Sequence, residues 1–227
     1  MKKFPLIILF LTAFASTTLM GKTDRDVALV FKVKGKVDVL KSNKNNALLA
    51  KRGMRLDAGD QIQTDQDGFM ALIFTDDKSM MKIRGNSDVI IRGKRQKKTF
   101  TKRIFMGIGE AWVHVSPQLV SDFRIETPTG VAAVKGTEFY TIVDQNGNVS
   151  IFATKGIVEL MNQLGSVMVH AGEAGFSDGK SEPKAKKIKP GQAPGWANSN
   201  GNGEEKVLDI EFEDKDGTKK HMKIYYK

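Results

Sequence analysis

The side chains able to do chemistry are few and scattered. The three histidines, His114, His170 and His221, lie far apart, each in an alternating, strand-like stretch. None stands at metal-ligand spacing from another ligand, so no zinc-type centre is expected. The chain has no cysteine, which removes thiol catalysis, disulfides and the acylated cysteine of a lipoprotein. No Gly-x-Ser-x-Gly elbow or Walker-type phosphate loop occurs. Asp76 and Asp77, beside Ser79, form a paired-carboxylate stretch. They fall where a hairpin turn is expected, and Asp is favoured there for bonding its own backbone; calcium is the rival reading. The chain is therefore expected to be no enzyme and to carry no metal and no cofactor.

Charge points to binding instead. Of the 227 residues, 36 are Lys or Arg and 26 Asp or Glu, a net +10. The densest run, 92–103, holds Arg92, Lys94, Arg95, Lys97, Lys98, Lys102 and Arg103 without an acid. Such a run attracts anionic lipid headgroups, wall polymers or nucleic acid. It is expected as a loop projecting from the end of a hairpin, with Asp88 before it and Glu110 after it as the nearest acids. Its bland alternative is a solvated connection.

The elements that must position these residues read as β throughout. From 27 to 177, short apolar-polar alternations recur about every ten residues, separated by turn signals such as Asp67-Gly68, Asn146-Gly147 and Lys155-Gly156. No window of helical length shows a good 3.6-residue period. The expected fold is all-β: a single domain of many short strands, as a sandwich, roll or short solenoid. The unit 139–160 loosely echoes 69–91, a hint of a repeated meander. Phe123 and Ile125 alternate with Arg124 and Glu126, Pro128 stops that ladder, and Gly136 permits a bulge or positive φ before the strand at Phe139. Trp112 is expected in the core, and Trp196 exposed or docked locally. Residues 178–206, rich in Lys, Pro and Gly, read as an extended linker. Residues 207–227 read as a C-terminal β-hairpin whose acidic first strand and basic second strand pair across the ladder.

The string TPTGVAAVKGTEF, carrying Thr127, Pro128, Gly130, Gly136, Thr137 and Phe139, resembles the hallmark of FecR-type extracytoplasmic domains. The stretch 53–64, with Gly53, Gly59, Asp60 and Thr64, resembles the same family's G-x-x-L-x-x-G-D-x-I-x-T, and 107–113 its G-x-x-W/A-V strand. One departure stands at 77–79, where Asp-Lys-Ser replaces the family's Asp-Gly-Ser. The resemblance implies a non-enzymatic, extracytoplasmic interaction or sensing domain. In membrane-spanning relatives such a domain senses an outer-membrane receptor while a cytoplasmic helical portion governs a sigma factor; only 1–21 precedes the domain here, so that second role is not expected.

Residues 1–21 have the form of a secretory signal: Lys2 and Lys3, then an apolar run over 4–15, shorter than the roughly 20 residues of a spanning helix. The expected location is periplasmic or secreted after cleavage, with an uncleaved inner-membrane anchor as the rival. The expected partner is an envelope protein or glycan. An anionic polymer or lipid surface acting through 92–103 is the alternative, and nucleic acid is disfavoured in that compartment.

Overall fold

The computed structural model describes residues 26–42, 46–96, 99–117, 123–197, 206–213 and 219–226. The signal-like segment, Lys97 and Lys98 lie outside them. All the regular structure among the described residues is strand.

In chain order the strands are β1 (Asp26–Lys34), β2 (Val37–Leu40), β3 (Ala47–Leu49), β4 (Arg55–Asp57), β5 (Gln61–Thr64), β6 (Phe69–Phe74), β7 (Met80–Ile83), β8 (Ser87–Gln96) and β9 (Thr99–His114). There follow β10 (Phe123–Glu126), β11 (Val131–Val134), β12 (Glu138–Val143), β13 (Val149–Lys155), β14 (Ile157–Asn162), β15 (Gly165–His170), β16 (Glu173–Ser177), β17 (Lys184–Lys187), β18 (Lys206–Glu213) and β19 (Lys219–Tyr226).

The first seventeen strands form one hydrogen-bonded network, which divides into two layers at β9. Sheet I runs β4-β1-β6-β7-β9-β12-β13-β16-β17. Sheet II runs β3-β2-β5-β8-β9-β10-β11-β14-β15. All these pairings are antiparallel except β9 with β10. The layer change falls between Ile108, which pairs with Asp88 in sheet II, and Gly109, which pairs with Val143 in sheet I. Gly109 makes the bend possible: its φ is +114°, and a Cβ there would lie 2.1 Å from Ser87 Oγ.

The loose echo between 69–91 and 139–160 has a structural counterpart. β6, β7 and β8 enter sheet I, sheet I and sheet II, and β12, β13 and β14 do the same. The main core fills the space between the layers. Leu56, Met81 and Phe139 from sheet I meet Ile62, Ile104 and Leu160 from sheet II, all fully buried. The Phe74 and Phe123 rings meet edge to face across the layers, 5.6 Å apart.

Part of the outer face of sheet I is also buried. Residues 188–197 lie over it, so that Trp112, Tyr140, Phe152, Trp196 and Ala197 make a second apolar cluster. Over the described residues 178–197, this corrects the reading of 178–206 as an extended linker. Lys184–Lys187 is a strand paired with β16, and Trp196 is only 2% exposed. Pro- and Gly-rich composition describes the local chain, but an aromatic ring with an apolar face to cover binds to it regardless of its neighbours. Trp112 is buried as expected, though in this second cluster and not between the layers. β18 and β19 pair over their full lengths, placing Asp209 opposite Lys223 and Glu213 opposite Lys219.

Candidate functional site

Over its described residues the basic stretch is not a loop. Residues 92–96 belong to β8 and 99–103 to β9, where Arg92 pairs with Arg103, Gly93 with Lys102, and Arg95 with Phe100. Alternation then sends Lys102 and Arg103 to opposite faces. Lys102 points inward with Ile104 and Met106 and is fully buried. Its Nζ lies 2.6 Å from Asp77 Oδ2 and 2.7 Å from Asp76 Oδ2. Lys102 is thus removed from the set of surface cations, and Asp76 and Asp77 hold a lysine where calcium was the rival reading. The strand pattern Lys102, Ile104, Met106 carried this signal.

Arg92 and Arg103 point outward. β10 adds in parallel to β9, bringing Arg124 directly beside Arg103. The row continues in register through Ala133, Glu159 and Met168. Three arginines therefore sit side by side on adjacent strands, with Cα atoms about 5 Å apart. Glu126 serves two of them: its carboxylate accepts from Arg103 Nε at 2.6 Å and lies 3.8 Å from Arg92. The nearest acids are thus not the Asp88 and Glu110 expected from sequence. The Arg92 guanidinium also lies 4.5 Å over the Phe105 ring. Beyond Arg124 an open groove of about 490 Å³ is lined by Ala133, Lys135, Ile157, Glu159 and Met168. Ile157 and Met168 are about half exposed there. Lys94 and Arg95 extend β8 past the row.

The motif residues are turn locks. Asp60, fully buried, accepts from the Asp57 and Ser42 amides at 2.8 and 3.0 Å and pairs with Lys41, which also reaches Asp57 at 2.9 Å. Burial pulls the Lys41 amine down, but those carboxylates outweigh it and leave it raised. Thr64 Oγ1 donates to the Arg84 carbonyl and accepts from the Ser87 amide. Thr127 Oγ1 donates to the Gly130 carbonyl at 2.8 Å, closing the turn around Pro128. Gly53, Gly59 and Gly136 all have positive φ. Thr137 and Phe139 are buried. None of these residues lines the arginine row.

Among the described residues, no group of three or more His, Asp or Glu is arranged to hold a metal ion. His114 stacks on Trp112 at 6.1 Å and lies 3.6 Å from Glu138; the His170 amide donates to Glu173.

Residues 60–159 match the family described as FecR protein. No curated protein is detectably similar to the chain. A 2.50 Å crystal structure from Parabacteroides distasonis ATCC 8503, described as "a putative anti-sigma factor", aligns with a TM-score of 0.52 at 15% identity, covering 61% of this chain and 64% of its own. A 1.65 Å structure with the same description and source gives a TM-score of 0.48 at 16% identity, over 58% and 61%. This chain thus spans less than two thirds of either neighbour's length, and at 15% identity the likeness to the 2.50 Å structure is one of fold.

Proposed function

From the premise that this chain carries a FecR domain at residues 60–159, we propose that it works by binding and not by catalysis. It is an interaction and sensing module of the cell envelope whose partner, a glycan or protein, presents closely spaced anionic oxygens to the outer face of sheet II. The periplasmic or secreted location rests on the signal-like form of residues 1–21.

The observation that carries this reading is the register row Arg92, Arg103, Arg124. Like charges directly opposite each other on neighbouring strands destabilise a sheet, and the Glu126 carboxylate beside Arg103 and Arg92 offsets part of that cost. A surface that keeps such a row gives up stability locally, as functional surfaces do. The guanidinium fork matches carboxylate, sulfate and phosphate geometry in a way a lysine does not. The groove next to Arg124, with its half-exposed Ile157 and Met168, gives the same partner an apolar contact.

Pull-down from an envelope fraction tests the reading. The wild-type protein should capture a partner at low salt and release it at high salt, and a variant with Arg92, Arg103 and Arg124 all changed to Gln should capture none. Equal capture by both proteins would place the contact elsewhere.

A further inference from the structure

The molecule holds a second set of reactive groups, on the opposite face of the same hairpin. Lys102 belongs to β9 in sheet II, and Asp76 and Asp77 belong to the β6–β7 turn of sheet I. All three meet between the layers, with the Lys102 side chain fully buried and those of Asp76 and Asp77 only 5% and 1% exposed. The Phe74 ring lies 5.6 Å from Lys102 Nζ, and Phe123 pairs directly with Lys102 and packs edge-on against Phe74. An amine is thus enclosed with two carboxyl groups and aromatic rings, out of reach of bulk water.

We propose that Lys102 and Asp77 join in an intramolecular isopeptide bond, with Asp76 as the proton carrier, so that the two layers become covalently stapled. The roles follow from the hydrogen bonds. Asp77 Oδ1 accepts from the Ser79 amide at 2.8 Å, which fixes it as the future amide carbonyl oxygen and stabilises the charge that develops on it. Asp77 Oδ2 faces Nζ at 2.6 Å and is the oxygen that leaves. Asp76 Oδ2, 2.7 Å from Nζ, takes protons from the nitrogen and hands them to that oxygen.

The step balances without any co-reactant. The bond from Lys102 Nζ to the Asp77 side-chain carbon forms, and the bond from that carbon to Oδ2 breaks. Starting from ammonium and carboxylate, two protons pass from nitrogen to the departing oxygen, which leaves as water. The third stays on the amide nitrogen, and Asp76 ends as it began. Two factors drive a condensation that is unfavourable in open water. The groups are held at contact distance, which supplies a large effective concentration, and the product replaces two buried charges with one neutral amide.

Denaturing mass spectrometry of the purified wild-type chain reads the outcome. The proposal expects a chain lighter by one water than the sequence from its own N-terminus onward, with or without residues 1–21, and, after trypsin, a branched product joining residues 56–78 to residues 99–103, with cleavage after Lys102 blocked. Lys102→Arg should restore the full mass. Asp76→Ala should fold, by circular dichroism, yet stay unlinked. Wild-type protein at full mass, with only linear peptides, would overturn the proposal whatever the variants do. A folded Asp76→Ala chain that links as fast as wild type would overturn the role given to Asp76.

Discussion

Two single positions test the local geometry. Lys78 has φ +64° and stands in the turn where FecR-type sequences carry glycine. The left-handed region costs a residue with a Cβ about 1 kcal/mol or more. The exposed Lys78 side chain has little packing to lose, so Lys78→Gly should raise the unfolding free energy by about 1 kcal/mol in a denaturant melt; unchanged or lowered stability would show that the turn is held without strain. Gly136 is the converse case. Its φ is +66°, and a Cβ would stand 3.2 Å from Pro117 Cα. Gly136→Val should cost about 2–3 kcal/mol, whereas Lys135→Ala, on an exposed side chain, should stay within about 0.5 kcal/mol. Equal melting temperatures for Gly136→Val and wild type would refute this account of the turn. Gly136 was legible because two strand patterns met at a residue without a side chain. The strain at Lys78 showed only as a departure from a family pattern, since nothing in a lysine announces a positive φ.

Among the elements, the segment 188–197 over sheet I is the one that sequence hid most completely. Its hold is specific. Lys82 Nζ donates to the Ala197 carbonyl at 2.6 Å and lies 4.5 Å over the Trp112 ring. The Trp196 ring meets the Tyr140 ring edge to face at 5.6 Å. Burial pushes the Tyr140 phenol up to about 12, against a smaller opposing effect of the Ala197 backbone. A phenol raised above its unfolded value of about 10 contributes stability below that pH and loses it as pH climbs through the folded value. Wild-type stability should therefore fall between about pH 10 and pH 12 more steeply than that of Tyr140→Phe, with a parallel change in tryptophan fluorescence as Trp196 leaves its cover. Identical slopes for the two proteins would show that Tyr140 does not couple the segment to the sheet. The hairpin arms β8 and β9 failed differently. Charge density suggested a loop, but the alternation Lys102, Ile104, Met106 against Arg103, Phe105 was already that of a strand with one buried face.

For the whole molecule, the all-β architecture was legible because each strand carries its own alternation. The arginine row was not, because it depends on which strands are neighbours. Arg92, Arg103 and Arg124 become adjacent only through the β8–β9 hairpin and the parallel β9–β10 pairing, and a parallel partner leaves no turn signal between its strands. The same topology separates Lys102 from the other cations and leaves three arginines side by side on one sheet face. If that face is where the partner sits, each arginine near an anionic surface should contribute about 1 kcal/mol, and the contribution should shrink as salt shortens the screening length below about 10 Å. The most direct measurement is a titration of the protein with an anionic polysaccharide, and with its neutral counterpart, across a series of salt concentrations. The account predicts binding to the anionic polymer alone, weakening steadily with salt, and weaker by roughly a hundredfold at low salt when Arg92, Arg103 and Arg124 are all changed to Gln. Equal affinities of wild type and triple variant, with the same salt dependence, would contradict it.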